Sequence, residues 1–266
     1  QAGLSGWHQA AVVGVPAGER NPQVGDLDSA AIHPLFFADD SGQKSDLDFP
    51  VPGMSDVMPY RSSVWSAMSG DQLAQYAAAW RQHLGRVLAD FAPDVIHVHH
   101  IWLVSSFLKD LAPNIPVIAT CHSTGLRQME LVPHLADAVR RGCARLDHFC
   151  VLRDDHGALL QEMLQVPADR ITVVGAGYRP DLFHVEPKVE AKPQHLLYIG
   201  KYSHAKGLPW LLDAFTGLLE HHSEQLPDLR LHIAGSGAGP EAEALHRRLQ
   251  DMAPQVVLHG QLKQPE

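Results

Sequence analysis

The stretch YIGKYSHAKGLPWLLDAF, residues 198–215, starts as an apolar strand, turns at Gly200-Lys201 and reopens at Lys206-Gly207 into an amphipathic helix. Leu208, Leu211, Leu212, Phe215, Leu218 and Leu219 recur at helical spacing and form one apolar stripe. Such a stripe docks a helix on a sheet and leaves its N-terminus at the carboxyl end of the preceding strand, where open parallel sheets bind ligands. A helix N-terminus carries about half a unit of positive charge and unpaired N–H groups. Lys201 and Lys206 beside it would act as point charges on a diphosphate, with Gly200 and Gly207 completing an anion cradle. The plainer alternative is a pair of solvated surface lysines. A cation at that end of a helix opposes the dipole, which favours the reading with an anion present.

The same strand-turn-helix grammar runs outward in both directions. Downstream, LRLHIAG is a strand, PEAEALHRRLQDM a helix and VVLHG a further strand. The turn between the first two, IAGSGAGPE at 233–241, places Gly235, Gly237 and Gly239 before Pro240. Glycines there would let backbone approach a ligand, although a tight structural turn explains them equally well. Upstream, AAVVGVP and AIHPLFF read as strands, and GDQLAQYAAAWRQHLGRVLADF as a helix through Leu73, Tyr76, Trp80, Leu84 and Leu88. APDVIHVHH, VIATCH, LDHFCVL and RITVVGAG then give strands, separated by helices in IWLVSSFLKDL, 130–145 and DDHGALLQEML. This alternation is the signature of a parallel sheet with helices on both faces. The fold class is therefore α/β, with two Rossmann-like parallel-sheet domains. The polar, proline-bearing stretch HVEPKVEAKP divides the chain into 1–185, a linker at 186–193, and 194–266, the start of a second domain. The excursion at 38–66 lacks regular pattern and reads as an acceptor-side lid or as surface cover. The opening QAGLSGWHQ reads as the end of a helix and a turn, and both ends are expected to be cut from something longer.

Bulk properties exclude several classes. A formal net charge of −9 argues against a nucleic-acid binder, which needs many phosphate-neutralising cations. Three cysteines, Cys121, Cys143 and Cys150, are odd in number and lack CxxC spacing, so a cytoplasmic setting is expected rather than a disulfide framework. No apolar run has the length of a membrane span, which leaves peripheral attachment to the inner face of a membrane open.

In the first half, DVIHVHH (94–100) places three histidines within four positions. No Asp, Glu or Cys nearby completes a zinc set, and no metal is expected. His97 is expected to pack in the sheet, while His99 or His100 reaches the crevice as a hydrogen-bonding group. His122 ends a buried strand, and Ser123, Thr124, Arg127 and Gln128 crowd the turn after it. That density of polar groups suits a polyhydroxylated ligand. A packed structural histidine is the alternative, and Cys121 inside an apolar run is expected to be buried.

Taken in order, these stretches resemble the retaining GT-B glycosyltransferases of the family-4 type. DVIHVHH is similar to that family's D-V-[IV]-H-x-H strand end, VIATCHS to its strand ending in the active-site His, and ITVVGAGYRPDLF to V-I-P-N-G-V-D-x-x-x-F. YIGKYSHAKG resembles G-[RK]-x(4)-K-G, LHIAGSGAGPE resembles L-x-I-x-G-x-G-P, and VVLHGQL resembles V-x-F-x-G-x-[LV]. The resemblance implies transfer of a sugar from a nucleotide-diphosphate sugar to an acceptor of unspecified identity, with retention of configuration and without a cofactor or required metal. It implies that Lys201 and Lys206 hold the donor diphosphate, that His122 hydrogen-bonds the transferred sugar near the reacting carbon, and that Gly237 lies beside the nucleotide. Gly175-Ala176-Gly177-Tyr178-Arg179 departs from the family's Pro-Asn-Gly-Val-Asp. The family's glycine-rich loop would precede Gln1 and its E-x(7)-E segment would follow Glu266, so the 266 residues alone are expected to be inactive. A GT-B sugar-nucleotide epimerase and a non-catalytic sugar-nucleotide-binding module are the alternatives.

Overall fold

Ser69 and Gln72 exchange side-chain and backbone hydrogen bonds in a capping box, and that box starts α1 (Gly70–Phe91). Tyr76, Trp80, Leu84 and Val87 form the buried stripe of this helix. The computed structural model describes residues 6–54, 58, 61–184 and 194–262. The expected helical turn at the start of the chain falls largely outside them, as does the 186–193 linker. The chain parts into two units, Gln1–Ala176 and Gly177–Glu266.

In the first unit, β1 (Ala11–Pro16) pairs in parallel with β2 (Ile32–Phe37), Ala11 opposite Ile32. A second sheet has the order β3 (Ile96–His99), β4 (Val117–Cys121), β5 (His148–Val151) and β6 (Ile171–Val173), all parallel. Strands β3, β4 and β5 are each followed by helix, as the alternation requires, but two expected helices are broken. IWLVSSFLKDL splits at Phe107 into α2 (Leu103–Ser106) and α3 (Leu108–Leu111). Ser105 Oγ donates to the His100 carbonyl and Ser106 Oγ to that of Leu103, so hydroxyls compete locally for backbone acceptors. The helical segment around 130–145 becomes α4 (Thr124–Leu131) and α5 (Pro133–Cys143), because Pro133 suits the first turn of a helix and not its interior. Helix α6 (Asp154–Leu164) precedes β6.

One apolar core serves this unit and takes in Phe37, Trp65, Trp102, Leu126, Phe149 and Leu160. Leu47, Phe49 and Trp65, at 4%, 3% and 2% exposure, carry the 38–66 excursion into that core. Two glycines set how closely the helices approach. A Cβ on Gly125 of α4 would run into the carbonyl of Ile101, and one on Gly142 of α5 into that of Ser106.

The second unit holds β7 (His195–Ile199), β8 (Arg230–Ala234) and β9 (Val256–Gly260), parallel and in that order. Helices α7 (Leu208–His222) and α8 (Pro240–Asp251) cover one face, where Leu208, Leu212, Phe215, Leu231, Ile233 and Leu249 form the core. Strand side chains alternate between faces, and on the other face Leu197 and Ile199 are 65% and 74% exposed. His195, His232 and His259 stack there at 5.1 and 5.2 Å between ring centroids. Among the described residues, no helix in either unit is long and apolar enough to cross a membrane.

Candidate functional site

Two groups of polar residues gather at strand ends, one in each unit. In the second unit, β7 ends at Ile199 and leads through a single 3-10 turn, His204–Lys206, into α7. Gly207 at φ +76° caps that turn and gives its N–H to the His204 carbonyl at 2.8 Å. Only glycine adopts this left-handed conformation without steric cost, so Gly207 fixes where α7 begins. The β8–α8 turn lies directly alongside. Gly200 N–H donates to the Ala234 carbonyl at 3.0 Å, and Tyr202 N–H to that of Ser236 at 3.2 Å. Gly235 sits at φ +141°, and a Cβ there would run into the carbonyl of Gly200. A Cβ on Gly237 would come 2.6 Å from Ala242 Cβ and 3.1 Å from the Tyr202 carbonyl oxygen. Gly200, Gly235 and Gly237 are thus brought together because two turns cross at backbone distance, while Gly207 stands at the far end of the first turn.

Lys201 and Lys206 are both exposed on the first of these turns, and neither forms an ion pair among the described residues. Tyr198 Oη donates to the Lys201 carbonyl at 2.7 Å, which ties the strand to the loop that carries the lysine. One residue here escaped the sequence reading. Glu241, in the first turn of α8, accepts from His204 N–H at 2.6 Å and lies 2.6 Å from His204 Nδ1. The backbone hydrogen bond from His204, and then the His204 side chain, hold the Glu241 carboxyl below its usual range. The acidic residue after Gly239-Pro240 was the available signal, since carboxylates favour a first helical turn.

In the first unit, the ends of β3 and β4 gather four imidazoles. His99 Nδ1 and His122 Nε2 lie 3.1 Å apart, and the ring centroids of His97 and His99, and of His100 and His122, are 4.5 and 4.9 Å apart. His100 Nδ1 reaches Thr124 Oγ1 at 3.1 Å. His97 differs from expectation: it is only partly covered rather than packed, and its Nε2 meets Thr120 Oγ1 on the next strand at 2.7 Å. The period-2 register explains this, since His97 and His99 share the face opposite Ile96 and Val98. Burial, with the neighbouring imidazoles, lowers the pKa of His97 and of His122 and takes that of His100 to about 4. These three rings are therefore neutral at pH 7, each able to donate from one nitrogen and accept at the other.

The backbone is strained at the same place. His100 and Ser123 have φ of +69° and +61°, a rare region for side-chain-bearing residues that recurs at functional sites. Thr124 N–H closes the Ser123 turn onto the His122 carbonyl at 2.7 Å. Arg127 lies exposed on α4, one turn beyond Ser123, and no side-chain contact joins it to the cluster among the described residues. Gln128 is 1% exposed and donates to the Met54 carbonyl at 3.3 Å, so it anchors the excursion rather than lining the turn. Cys121 is buried at 1% exposure, and burial raises its thiol pKa. Among the described residues no group of three or more His, Cys, Asp or Glu is arranged to hold a metal ion.

Comparison with known proteins places this architecture. The profile described as Glycosyltransferase Family 4 matches residues 44–182, and that described as Glycosyl transferases group 1 matches 193–266. No curated protein sequence matches the chain. Among solved structures, the one titled "OtsA apo structure" is similar at 14% identity and a TM-score of 0.55, with 74% of this chain and 54% of that chain covered. An alpha,alpha-trehalose-phosphate synthase (UDP-forming) from Burkholderia vietnamiensis is similar at 13% identity and a TM-score of 0.56, with 74% and 55% covered. The structure titled "Trehalose-6-phosphate from E. coli bound with UDP-2-fluoro glucose" gives 11%, 0.59, 97% and 75%. The chain thus spans about half the length of the first two, and these likenesses concern the fold. The fold expected from the ordered motifs, two parallel α/β units of the GT-B kind, is the one observed. With the first profile covering 139 of 266 residues, the chain belongs to glycosyltransferase family 4.

Proposed function

We propose that this chain is the core of a retaining glycosyltransferase that takes a sugar from a nucleotide-diphosphate sugar. The observation that carries the reading is the crossed pair of glycine turns in the second unit, with a helix N-terminus and two exposed lysines, neither ion-paired among the described residues, on the same loop. Such a loop recognises a pyrophosphate and no apolar ligand. Lys201, Lys206 and the N-terminus of α7 neutralise the charge that accumulates on the diphosphate as the glycosidic bond breaks. No metal is required for that electrostatic role. Gly235 and Gly237 let the two turns cross beside the lysines, because the space a Cβ would need there is taken by Gly200 and by Ala242 and Tyr202. In the first unit, neutral His122 hydrogen-bonds the transferred sugar, with His99 fixing its ring from behind through the 3.1 Å contact. His100, Ser123, Thr124 and Arg127 supply further donors and acceptors to sugar hydroxyls. Retention follows from front-face displacement, in which the acceptor enters on the side the diphosphate leaves.

The test is to incubate the protein, with whatever polypeptide flanks it in the cell, with UDP- and GDP-sugars and assay released nucleoside diphosphate. NMR of the product then reports the anomeric configuration. Release with a retained anomer is expected. Tight donor binding with no release would replace the transferase by a binding module, and an inverted anomer would rule out the front-face mechanism.

A further inference from the structure

The loop between β7 and α7 carries both lysines, and its backbone is held at several points between Lys201 and Gly207. Tyr198 Oη donates to the Lys201 carbonyl. Tyr202 N–H donates to the Ser236 carbonyl, and the Tyr202 side chain, buried at 6% exposure, stacks on His246 of α8 with ring centroids 6.1 Å apart. Lys206 N–H returns to the Ser203 carbonyl at 3.2 Å and Gly207 N–H to that of His204. His204 opens the 3-10 turn between these tethers. Ser203 stands at the N-cap position of that turn, and its side chain caps nothing. The His204 N–H therefore has no local acceptor. Glu241 supplies one from the first turn of α8, 37 positions along the chain, and the same Oε1 also meets His204 Nδ1.

An ionised carboxylate only accepts, so the His204 ring carries a proton on Nδ1. Both donors converge on one oxygen, and charge-assisted bonds of this kind are shorter and stronger than neutral ones. As a plain exposed ion pair the contact would contribute little. Its place is what marks it, because it caps the one short turn that joins the two lysines to α7. Glu241 is acidic beside two cations, yet among the described residues it pairs with His204 and with neither lysine. The ammonium groups thus keep their charge for another anion. Glu243 shares the first turn of α8 and is exposed, but no hydrogen bond joins its side chain to the loop among the described residues.

We propose that Glu241 is a positioning residue for the donor: through His204 it holds the 3-10 turn in the shape that sets Lys206 beside the N-terminus of α7, where the diphosphate binds. The inference rests on the reading of this loop as the diphosphate site.

Isothermal titration of UDP and GDP into the wild type, Glu241→Ala, Glu241→Gln, Glu243→Gln and Lys206→Ala tests it. The nucleotide that binds the wild type should bind Glu241→Ala about tenfold more weakly, since a charge-assisted acceptor is lost from the turn. Glu241→Gln keeps an oxygen for the His204 N–H and should stay within about threefold of the wild type. Glu243→Gln removes the same charge from the same helical turn and should leave affinity unchanged. Equal losses in Glu241→Ala and Glu243→Gln would assign the effect to the charge at the end of α8 and overturn the proposal. Equal losses in the Ala and Gln variants of Glu241 would do the same. So would unchanged affinity in Glu241→Ala, or raised affinity, which would make the carboxylate a competitor of the diphosphate. Lys206→Ala separates this inference from the reading beneath it. A loss there with none in Glu241→Ala removes the positioning role alone, whereas wild-type affinity in Lys206→Ala removes the diphosphate site and the positioning role with it. Amide exchange without nucleotide gives a second readout. In Glu241→Ala the amides of His204, Lys206 and Gly207 should exchange faster while those of β8 keep their protection, and unchanged exchange at His204 and Lys206 would overturn the proposal.

Discussion

His100 illustrates how a single side chain links burial, charge and conformation at the strand ends. Its ring is held half-buried against Thr124 and His122, and its pKa of about 4 lies below the ordinary 6.5. Between those values the unfolded chain binds a proton that the folded chain does not, so stability rises with pH across that window and is lost as pH falls toward 4. His97 and His122 shift the same way and add to the slope. Urea unfolding from pH 4 to 7 should show it, and His100→Gln should flatten it; an unchanged slope in the variant would contradict the assignment. Gly235 is the corresponding residue of the second unit. At φ +141°, with the Gly200 carbonyl where a Cβ would sit, Gly235→Ala must part the ends of β7 and β8. Nucleoside diphosphate affinity should fall about tenfold or more, since about 1.4 kcal/mol of lost contact suffices. Wild-type affinity in that variant would place the nucleotide elsewhere.

At the scale of elements, close approach separates glycines that helices need from glycines they merely tolerate. Gly125→Ala and Gly142→Ala each push a Cβ into a backbone carbonyl of a neighbouring segment, and each should destabilise by about 1–3 kcal/mol. Gly85→Ala on α1 meets nothing within 4 Å and should stabilise by about 0.5–1 kcal/mol through helix propensity. Urea midpoints of the three variants measure the contrast, and a common sign would refute it. The same distinction explains what the sequence made legible. Apolar runs bounded by turns located the strands, and the 3.6-residue stripe located α1 and α7, because each is a local consequence of which faces are buried. The break at Phe107 was hidden because Ser105 and Ser106 turn their hydroxyls onto backbone carbonyls, a choice that only tertiary packing decides. His97 was misplaced because strand alternation assigns a face without saying which face is covered. Likewise Glu241 meets His204 across 37 positions of sequence, and no local pattern encodes that contact.

On the scale of the whole molecule, two cores divide the work. The first unit builds a histidine cluster on a strained pair of turns, and the second sets two exposed lysines beside crossed glycine turns. The net charge of −9 sharpens the second feature, because lysines without an ion pair among the described residues of an acidic chain need a local reason to be there. Order along the chain was what the sequence exposed best at this scale, since six weak motifs in series defined two α/β units that none defined singly. Neighbour relations between strands were not exposed, and so the order of each sheet appears only in three dimensions. The most direct test of the whole account is isothermal titration of UDP and GDP into the wild-type protein and into Lys201→Ala and Lys206→Ala. One nucleotide should bind the wild type, and each substitution should weaken it by about 1.5–3 kcal/mol, roughly 10- to 150-fold, as expected for charge-assisted contacts. Affinity unchanged in both variants would contradict the claim that this turn holds the donor diphosphate.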